Sequence, residues 1–182
     1  MTQETTRLSC KVKKWVNTLA LILVLIYHNG FAQTKDYKFQ SLYIFSFAKS
    51  IEWPPIQGAE FVVAVFDNQK VFSEMKTNLA NRSVGAKPIA VKHFKTVDEI
   101  APSQVLFIPI SNKNNIKQII QKVGQNPCLI ITEKEGWIKE GSIINFVITD
   151  EGKMKYELND HAASQRNLKI PSGIKTLAIA IN

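Results

Sequence analysis

Three glutamate residues stand close together after an apolar run, and paired carboxylates are what acid–base hydrolysis requires. They are Glu133, Glu135 and Glu140, and in a hydrolase one would donate a proton while another accepted one. Lys134 and Lys139 alternate with them, which is typical of a solvated turn. The sequence also lacks the nucleophile-elbow, P-loop, dinucleotide-binding and zinc-protease motifs. We therefore predict no catalytic residue, and a hydrolase is the least favoured function.

The histidine and cysteine residues offer little for metal or redox chemistry. His93 and His161 each lack a second ligand nearby in sequence, so we expect no metal site and no cofactor. Cys128 begins a short apolar run, which predicts a buried and unreactive thiol. The other cysteine, Cys10, lies in an N-terminal segment that we expect to be removed. No disulfide is then expected within the remaining chain.

The first 32 residues have the three parts of a secretory signal peptide. Lysines precede an apolar run, Leu19–Ile26, and the small residues Gly30 and Ala32 mark a cleavage site. The alternative is a retained membrane anchor, but polar residues interrupt the uncharged stretch 15–32, which falls short of the roughly 20 apolar residues that span a bilayer. We predict cleavage after Ala32 and export from the cytoplasm.

The charge of the chain gives little support for nucleic-acid binding. The segment 1–32 holds four basic residues and one acidic residue, so the exported part keeps a net charge of +5 out of +8. Its lysines are scattered and do not alternate with aromatic residues along one face. We therefore expect no nucleic-acid partner.

Residues 33–182 alternate between strand and helix patterns, as a single α/β domain does. The first predicted helix spans 36–51 and ends before Trp53 and Pro54, with Trp53 expected to hold that helix against the sheet. Further helices are predicted around Phe72, Met75 and Leu79 and over 116–123. The capping-box pair Thr96/Glu99 predicts a short helix, and the pair Thr132/Glu135 predicts a short helical turn before Gly136. Five apolar runs predict strands: 61–66, 89–91, 105–108, 128–131 and 143–148.

The C-terminal third has a different pattern. Met154, Tyr156 and Leu158 alternate with charged residues after a turn at 150–152, which predicts an antiparallel hairpin with one buried face. Asn159 or Asp160 is expected to cap a helix through Ala162 and Ala163. Ser172 is expected to cap a last helix, with inward side chains at 174, 177, 178 and 181. The predicted fold is therefore a mostly parallel central sheet flanked by helices, with a C-terminal hairpin and terminal helices.

Polar residues follow three of the predicted parallel strands. Because the carboxyl ends of such strands meet at one edge of a sheet, these residues predict a ligand crevice there. The crevice residues are Asp67, Asn68, Ser111, Thr132 and Glu133.

Four segments, in order, resemble the YfiR family of exported bacterial proteins. They correspond to an Ile-Glu-Trp-Pro helix end, a Gly-then-Ile-Asn-Phe strand, a Phe-Glu-Ile-Asn-like strand and a Leu-Lys-Ile-Ser-Ser-like helix start. Here they are residues 45–54, 141–147, 155–159 and 168–172. The chain departs from the family pattern at Pro171 and Gly173, and by keeping Cys128 alone where members use cysteine pairs.

The resemblance implies a periplasmic repressor that binds the outer part of a membrane diguanylate cyclase and so controls cyclic di-GMP output and biofilm formation. We interpret the protein as a non-catalytic regulatory protein whose partner is an inner-membrane signalling protein, either a diguanylate cyclase or a sensor kinase. Lys155, Glu157 and Asn159 are the predicted partner-binding residues. A homodimer is left open. The alternative is a periplasmic small-molecule binding module, associated with a transporter or an outer-membrane receptor, that uses the strand-end crevice.

Overall fold

An eight-stranded sheet organises the domain in the computed structural model, which describes residues 37–112 and 115–181. The strand order is β2-β3-β1-β4-β5-β6-β7-β8. The strands are β1 (Phe61–Phe66), β2 (Ser83–Val84), β3 (Lys87–Phe94), β4 (Val105–Ile108), β5 (Leu129–Thr132), β6 (Ile144–Ile148), β7 (Met154–Leu158) and β8 (Ala180–Ile181). The predicted signal peptide and its cleavage site lie outside the described residues.

The centre of the sheet is parallel and its margins contain the antiparallel pairs. β3, β1, β4, β5 and β6 pair in parallel, as do β7 and β8, whereas β2–β3 and β6–β7 are antiparallel. Parallel pairing needs crossover connections. A helix forms the connection after β1 and the one after β4, whereas turns join β3 to β4 and β5 to β6. The predicted α/β fold, its mostly parallel sheet and its C-terminal hairpin are therefore confirmed.

Within residues 37–112 and 115–181, five helices cover the sheet. They are α1 (Lys38–Ser50), α2 (Gln69–Asn78), α3 (Ile116–Val123), α4 (Asp160–Gln165) and α5 (Ser172–Leu177). α1, α2, α4 and α5 pack on one face, which we call the inner face, and share its core with alternate strand residues such as Phe107 and Phe146. α3 and the turn around Trp137 cover the opposite face, which we call the outer face, over β1, β4 and β5. None of these described helices is long and apolar enough to cross a bilayer.

Neither capping box predicted from the sequence forms: no helix begins at Thr96, and the turn that follows β5, where the Trp137 N–H bonds to the Lys134 carbonyl at 3.2 Å, is not capped by Thr132. Between Thr96 and Glu99 the chain makes a turn, in which the Glu99 carboxylate accepts the Lys95 backbone N–H at 2.7 Å. Thr132 is the last residue of β5, and its hydroxyl bonds to the Asn145 side chain at 2.7 Å instead of capping a helix. Both predictions were wrong because the capping side chains found partners elsewhere.

The end of the chain also differs from the prediction. Pro171 precedes α5 and Ser172 is its first residue, so Ser172 makes no cap. Ile174 is buried as expected, but Leu177 is 68% exposed. The chain then leaves the helix at Ala178, and Ala180–Ile181 pairs with β7 as a short parallel strand. The inward role predicted for Leu177 was therefore wrong, because the helix is shorter than its apolar pattern.

Candidate functional site

The outward face of β7 carries two of the three predicted partner-binding residues. Tyr156 and Leu158 are buried against the inner-face helices, while Lys155 is exposed and Glu157 is half-buried on the other side of the strand. This alternation is the one predicted, and it follows from the two-residue period of a strand. α3 and the turn around Trp137 do not extend over this part of the sheet in the described core. Lys155 and Glu157 therefore project from a fixed strand.

A hydrogen-bond network holds the Glu157 carboxylate in place. The Asn145 side-chain amide, directly opposite on β6, donates to Glu157 Oε2 at 2.8 Å. Asn145 is fully buried, and its Oδ1 accepts from the Thr132 hydroxyl at 2.7 Å and from the Lys134 backbone N–H at 3.1 Å. The sequence analysis missed Asn145, although it lies at the centre of the Gly-then-Ile-Asn-Phe segment. The network joins the ends of β5, β6 and β7 and orients one carboxylate outward.

Asn159, the third predicted residue, is used by the fold. Its Oδ1 accepts the Ala162 N–H at 2.8 Å and caps α4, as predicted, and its Nδ2 donates to the Ile138 carbonyl at 3.2 Å. Asn159 is half-buried and lies directly after Leu158 at the end of β7. It therefore connects the hairpin to α4, and only part of its side chain faces solvent.

The predicted strand-end crevice is partly assembled. The Asn68 amide donates to the Ser111 hydroxyl at 2.7 Å, so the ends of β1 and β4 do meet. Asn68 Oδ1 also accepts the Val71 N–H and caps α2. Asp67 adopts a left-handed backbone conformation with φ of 52° before that cap. These three residues lie together, as parallel strand ends require.

The other two crevice residues point into the protein. Thr132 is fully buried in the Asn145 network. Glu133 is only 6% exposed, and its Oε1 accepts the Tyr37 hydroxyl at 2.9 Å and the Ile110 N–H at 3.0 Å. Burial and the neighbouring Glu133 carboxylate raise the pKa of Tyr37 above its usual range. Glu133 thus fastens the start of α1 to the end of β5, a contact that sequence reasoning could not find because the residues are far apart in the chain.

A cleft of about 230 Å³ opens at the amino ends of β1, β4 and β5, opposite the predicted crevice at their carboxyl ends. The indole N–H of Trp53 donates to the Ala48 carbonyl at 2.8 Å, and its ring packs edge-on against Phe61. Trp53 therefore fastens the end of α1 to β1, as predicted. The cleft contains no charged side chain among its lining residues, which are Trp53, Pro54, Pro55, Ile56, Gln57, Val62, Pro102, Ser103, Gln104, Asn126 and Pro127.

The sequence analysis missed this cleft, yet the sequence contained a signal for it. Pro54 and Pro55 precede β1, Pro102 precedes β4, and Pro127 precedes β5. Because neighbouring parallel strands begin at the same edge, these prolines were bound to lie near one another. Proline rings provide a rigid apolar lining there.

The remaining candidate groups are structural. Cys128 is 2% exposed, so its predicted burial is confirmed, and burial raises the pKa of its thiol to about 12. His93 stacks on Phe72 with ring centroids 5.1 Å apart, and His161 bonds to Gln165 at the surface. Among the described residues, no three histidine, cysteine or acidic side chains are grouped as a metal site would need.

A family model described as YfiR/HmsC-like matches residues 37–179, which is most of the chain. The chain belongs to the YfiR/HmsC-like family. This membership supports a regulatory and periplasmic role within cyclic di-GMP control, and the family as a whole is non-catalytic. No curated protein matches the chain.

Two solved structures share the fold at low sequence identity. A conserved domain protein from Vibrio cholerae O1 biovar El Tor is 14% identical with a TM-score of 0.59, over 80% of this chain and 60% of that one. The ABC domain in complex with L-Trp from Streptococcus pneumoniae is 12% identical with a TM-score of 0.56, over 81% and 62%. The YfiR/HmsC-like chain thus spans about 60% of the length of each. At such identities the likeness shows the fold alone.

Proposed function

We propose that this YfiR/HmsC-like protein docks on the periplasmic part of an inner-membrane diguanylate cyclase or sensor kinase and holds it inactive. The surface proposed to dock is the hairpin surface, defined as Lys155, Glu157 and Asn159. The observation that carries the proposal is the Glu157 carboxylate, which the buried Asn145 amide holds at 2.8 Å on the outward side of β7. A partner would meet a charge that is already oriented, and binding would order little else.

The position of β7 in the sheet supports this role. β7 pairs with β6 over five residues and with β8 over two, so it is not an edge strand. The Tyr156 hydroxyl also donates to the Ile174 carbonyl at 2.6 Å and fixes the strand to α5. Side chains on such a strand lose less conformational entropy on docking than side chains on a loop. The hairpin surface therefore has the rigidity that a stoichiometric repressor requires.

Charge reversal tests the hairpin surface without changing the net charge. The double variant Lys155→Glu/Glu157→Lys is expected to reduce co-purification of the membrane partner at least tenfold and to raise signalling output in cells. The matched control is Glu151→Lys/Lys153→Glu, which reverses an exposed pair at the tip of the same hairpin, 2.7 Å apart. Normal repression by a folded Lys155/Glu157 variant would refute the proposed surface.

The role of Asn159 needs a variant that keeps the cap of α4. Asn159→Asp retains an oxygen that accepts the Ala162 N–H, and aspartate is an equally good capping residue. The variant loses the Nδ2 bond to the Ile138 carbonyl and adds a negative charge to the hairpin surface, so we expect a lower melting temperature and, at temperatures where the variant is folded, weaker partner binding. A change in stability alone would make Asn159 a structural residue only.

A second candidate function is the binding of a small molecule outside the cytoplasm. The observation that favours it is the uncharged cleft beside Trp53, which is built from three proline-containing loops. An apolar lining with a few side-chain amides is typical of ligand sites. The alternative ligand site is the crevice at the carboxyl ends of β1 and β4, formed by Asp67, Asn68 and Ser111. A ligand found by screening that loses affinity in Gln57→Ala, but not in Ser111→Ala, would place the site at the cleft.

Export through a cleaved signal peptide is part of the proposal. N-terminal sequencing of the protein from envelope fractions is expected to begin at or near Gln33. An intact Met1 in the cytosol would overturn it. Sedimentation of the purified protein at several concentrations would decide between a monomer and a homodimer.

A further inference from the structure

The solvent-facing side of α1 is unusually apolar for a surface helix. Phe39 is 64% exposed and Leu42 is 40% exposed, although both could have been polar without loss to the core. The buried side of the same helix carries Ile44, Phe47 and Ala48, so α1 is apolar on both sides. Surface helices normally present polar residues to water. The outward side chains therefore have a use other than packing the domain.

The charges around these apolar residues are all positive on α1 itself. Lys38 and Lys49 are exposed, and the helix contains no aspartate or glutamate between Lys38 and Ser50. The half-buried Phe45 continues the line from Phe39 and Leu42, and the Arg82 guanidinium lies 4.6 Å from its ring centroid. Lys49 Nζ lies 5.5 Å from the same ring. We call Phe39, Leu42, Phe45, Lys49 and Arg82 the α1 surface.

Glu74, an acidic residue on the neighbouring α2, has partners of its own. Glu74 on α2 accepts the Tyr37 backbone N–H at 3.1 Å and lies 3.9 Å from Lys70. Its carboxylate is thus held at the N-terminal end of α1 and has a lysine of its own. Two copies of the α1 surface would bring like charges together, which disfavours self-association through it.

We propose that the α1 surface rests on an anionic lipid bilayer, with Phe39 and Leu42 inserted at the headgroup level and the basic residues facing lipid phosphates. A convex helix with apolar and basic residues and small serines between them suits a deformable, negatively charged surface. Beyond its basic side chains, the outward side of α1 offers the exposed hydroxyls of Ser46 and Ser50, and it has no exposed carboxylate or side-chain amide for the directed hydrogen bonds of a specific protein interface. Such contact would keep the protein beside the membrane in which its proposed partner resides.

Vesicle co-sedimentation of the purified protein tests the proposal. We expect binding to vesicles containing phosphatidylglycerol, at least tenfold weaker binding to pure phosphatidylcholine, and a steady loss as salt rises. Phe39→Ser/Leu42→Ser is expected to weaken binding about tenfold. Lys49→Gln and Arg82→Gln are each expected to weaken it about fivefold.

Two matched controls remove the same side-chain types elsewhere. Leu177→Ser removes an exposed leucine from α5, and Lys139→Gln removes an exposed lysine from the turn beside Trp137 on the outer face. Neither should change binding by more than a factor of two. Equal binding to both vesicle types, or equal losses in the controls, would overturn the proposal. The proposal would also be overturned if vesicle binding were absent and Phe39 were instead required for self-association or for binding an acidic protein.

The vesicle measurement contains no partner protein, so it can succeed or fail independently of the proposed repression. A variant that loses vesicle binding and still represses its partner would leave the docking proposal intact. A charge-reversed hairpin that loses repression and still binds vesicles would leave the membrane proposal intact.

Discussion

The two halves of the sheet differ in how their outer face is covered. Every residue of β4 and β5 is buried, because α1 and α2 lie on one side and α3 with the turn around Trp137 lies on the other. β7 is buried only at Tyr156 and Leu158, and its other side carries Lys155 and Glu157. The side chains of β4 and β5 pack against helices and turns on both faces, whereas one side of β7 is left uncovered in the described core. Where both faces of a sheet are covered, its strands cannot contact a partner through those faces, and the loops that join the strands remain for recognition.

The largest effect is expected from truncation in the doubly covered half. Phe107 is fully buried and packs against the rings of Tyr37 and Phe146. Phe107→Ala should reduce the free energy of unfolding by about 3 to 5 kcal/mol, because it leaves a cavity in a closely packed core. Urea unfolding measures this change. Leu177→Ala at an exposed site is the control and should stay within about 0.5 kcal/mol; a similar loss at both sites would contradict the comparison.

A smaller effect is expected at the junction of the two halves. Asn145→Ala leaves the Lys134 N–H without its acceptor and removes the shortest bond of the Thr132 hydroxyl, which keeps the Ser142 hydroxyl at 3.1 Å, so it should lower the free energy of unfolding by about 2 kcal/mol. It also frees the Glu157 carboxylate, so partner binding should weaken even where the variant is folded. Asn126→Ala is the matched control, since Asn126 makes one local bond to the Val123 carbonyl. If Asn145→Ala bound the partner normally, the orientation of Glu157 would be irrelevant to docking.

The buried Cys128 thiol should make the free energy of unfolding fall at alkaline pH. Burial raises the pKa of Cys128 to about 12 in the folded state, so the folded protein keeps this proton at pH values where the unfolded chain loses it. The free energy of unfolding should therefore fall as pH rises above about 9, by at most about 1.4 kcal/mol per pH unit from this group.

Cys128→Ala isolates this contribution. At pH 7 the substitution should lower the free energy of unfolding by about 1 to 2 kcal/mol, the usual scale for a small buried side chain. Between pH 9 and 10 the free energy of unfolding of the variant should fall less steeply than that of the unsubstituted protein. Tyr156, whose pKa burial also raises to about 12, should add its own decline above pH 10 in both proteins. Parallel curves for the two proteins would contradict the assignment to Cys128.

The smallest effect is expected at a surface ion pair. Lys169 Nζ lies 3.4 Å from the Glu52 carboxylate, and both side chains are more than two-thirds exposed. Lys169→Gln should change the free energy of unfolding by at most about 1 kcal/mol, because water screens such pairs. The backbone bridge between Glu52 and Lys169 does not depend on these side chains and should persist. A loss above 2 kcal/mol in urea unfolding would show that this pair has a larger structural role.

Local sequence patterns determined much of the fold. The apolar runs predicted β1 and β4 with their observed bounds, and the spacing at 116, 119, 120 and 123 predicted α3. Alternation in 153–158 predicted which side of β7 is buried, and Asn159 was among the expected caps of α4. Such features depend on residues within one turn or one strand, so the sequence of that segment is sufficient to predict them.

The tertiary structure alone decided which distant side chains meet. The Thr132 hydroxyl donates to Asn145 Oδ1 instead of capping a helical turn, and Glu133 accepts the Tyr37 hydroxyl. The last apolar residues form β8 instead of extending a helix. The proline-lined cleft and the exposed apolar side of α1 likewise depend on what covers each segment. A buried polar group that lacks a hydrogen-bond partner is costly, so the groups that become buried are the ones that must find partners. Which groups become buried depends on the assembled sheet and helices and not on any one segment.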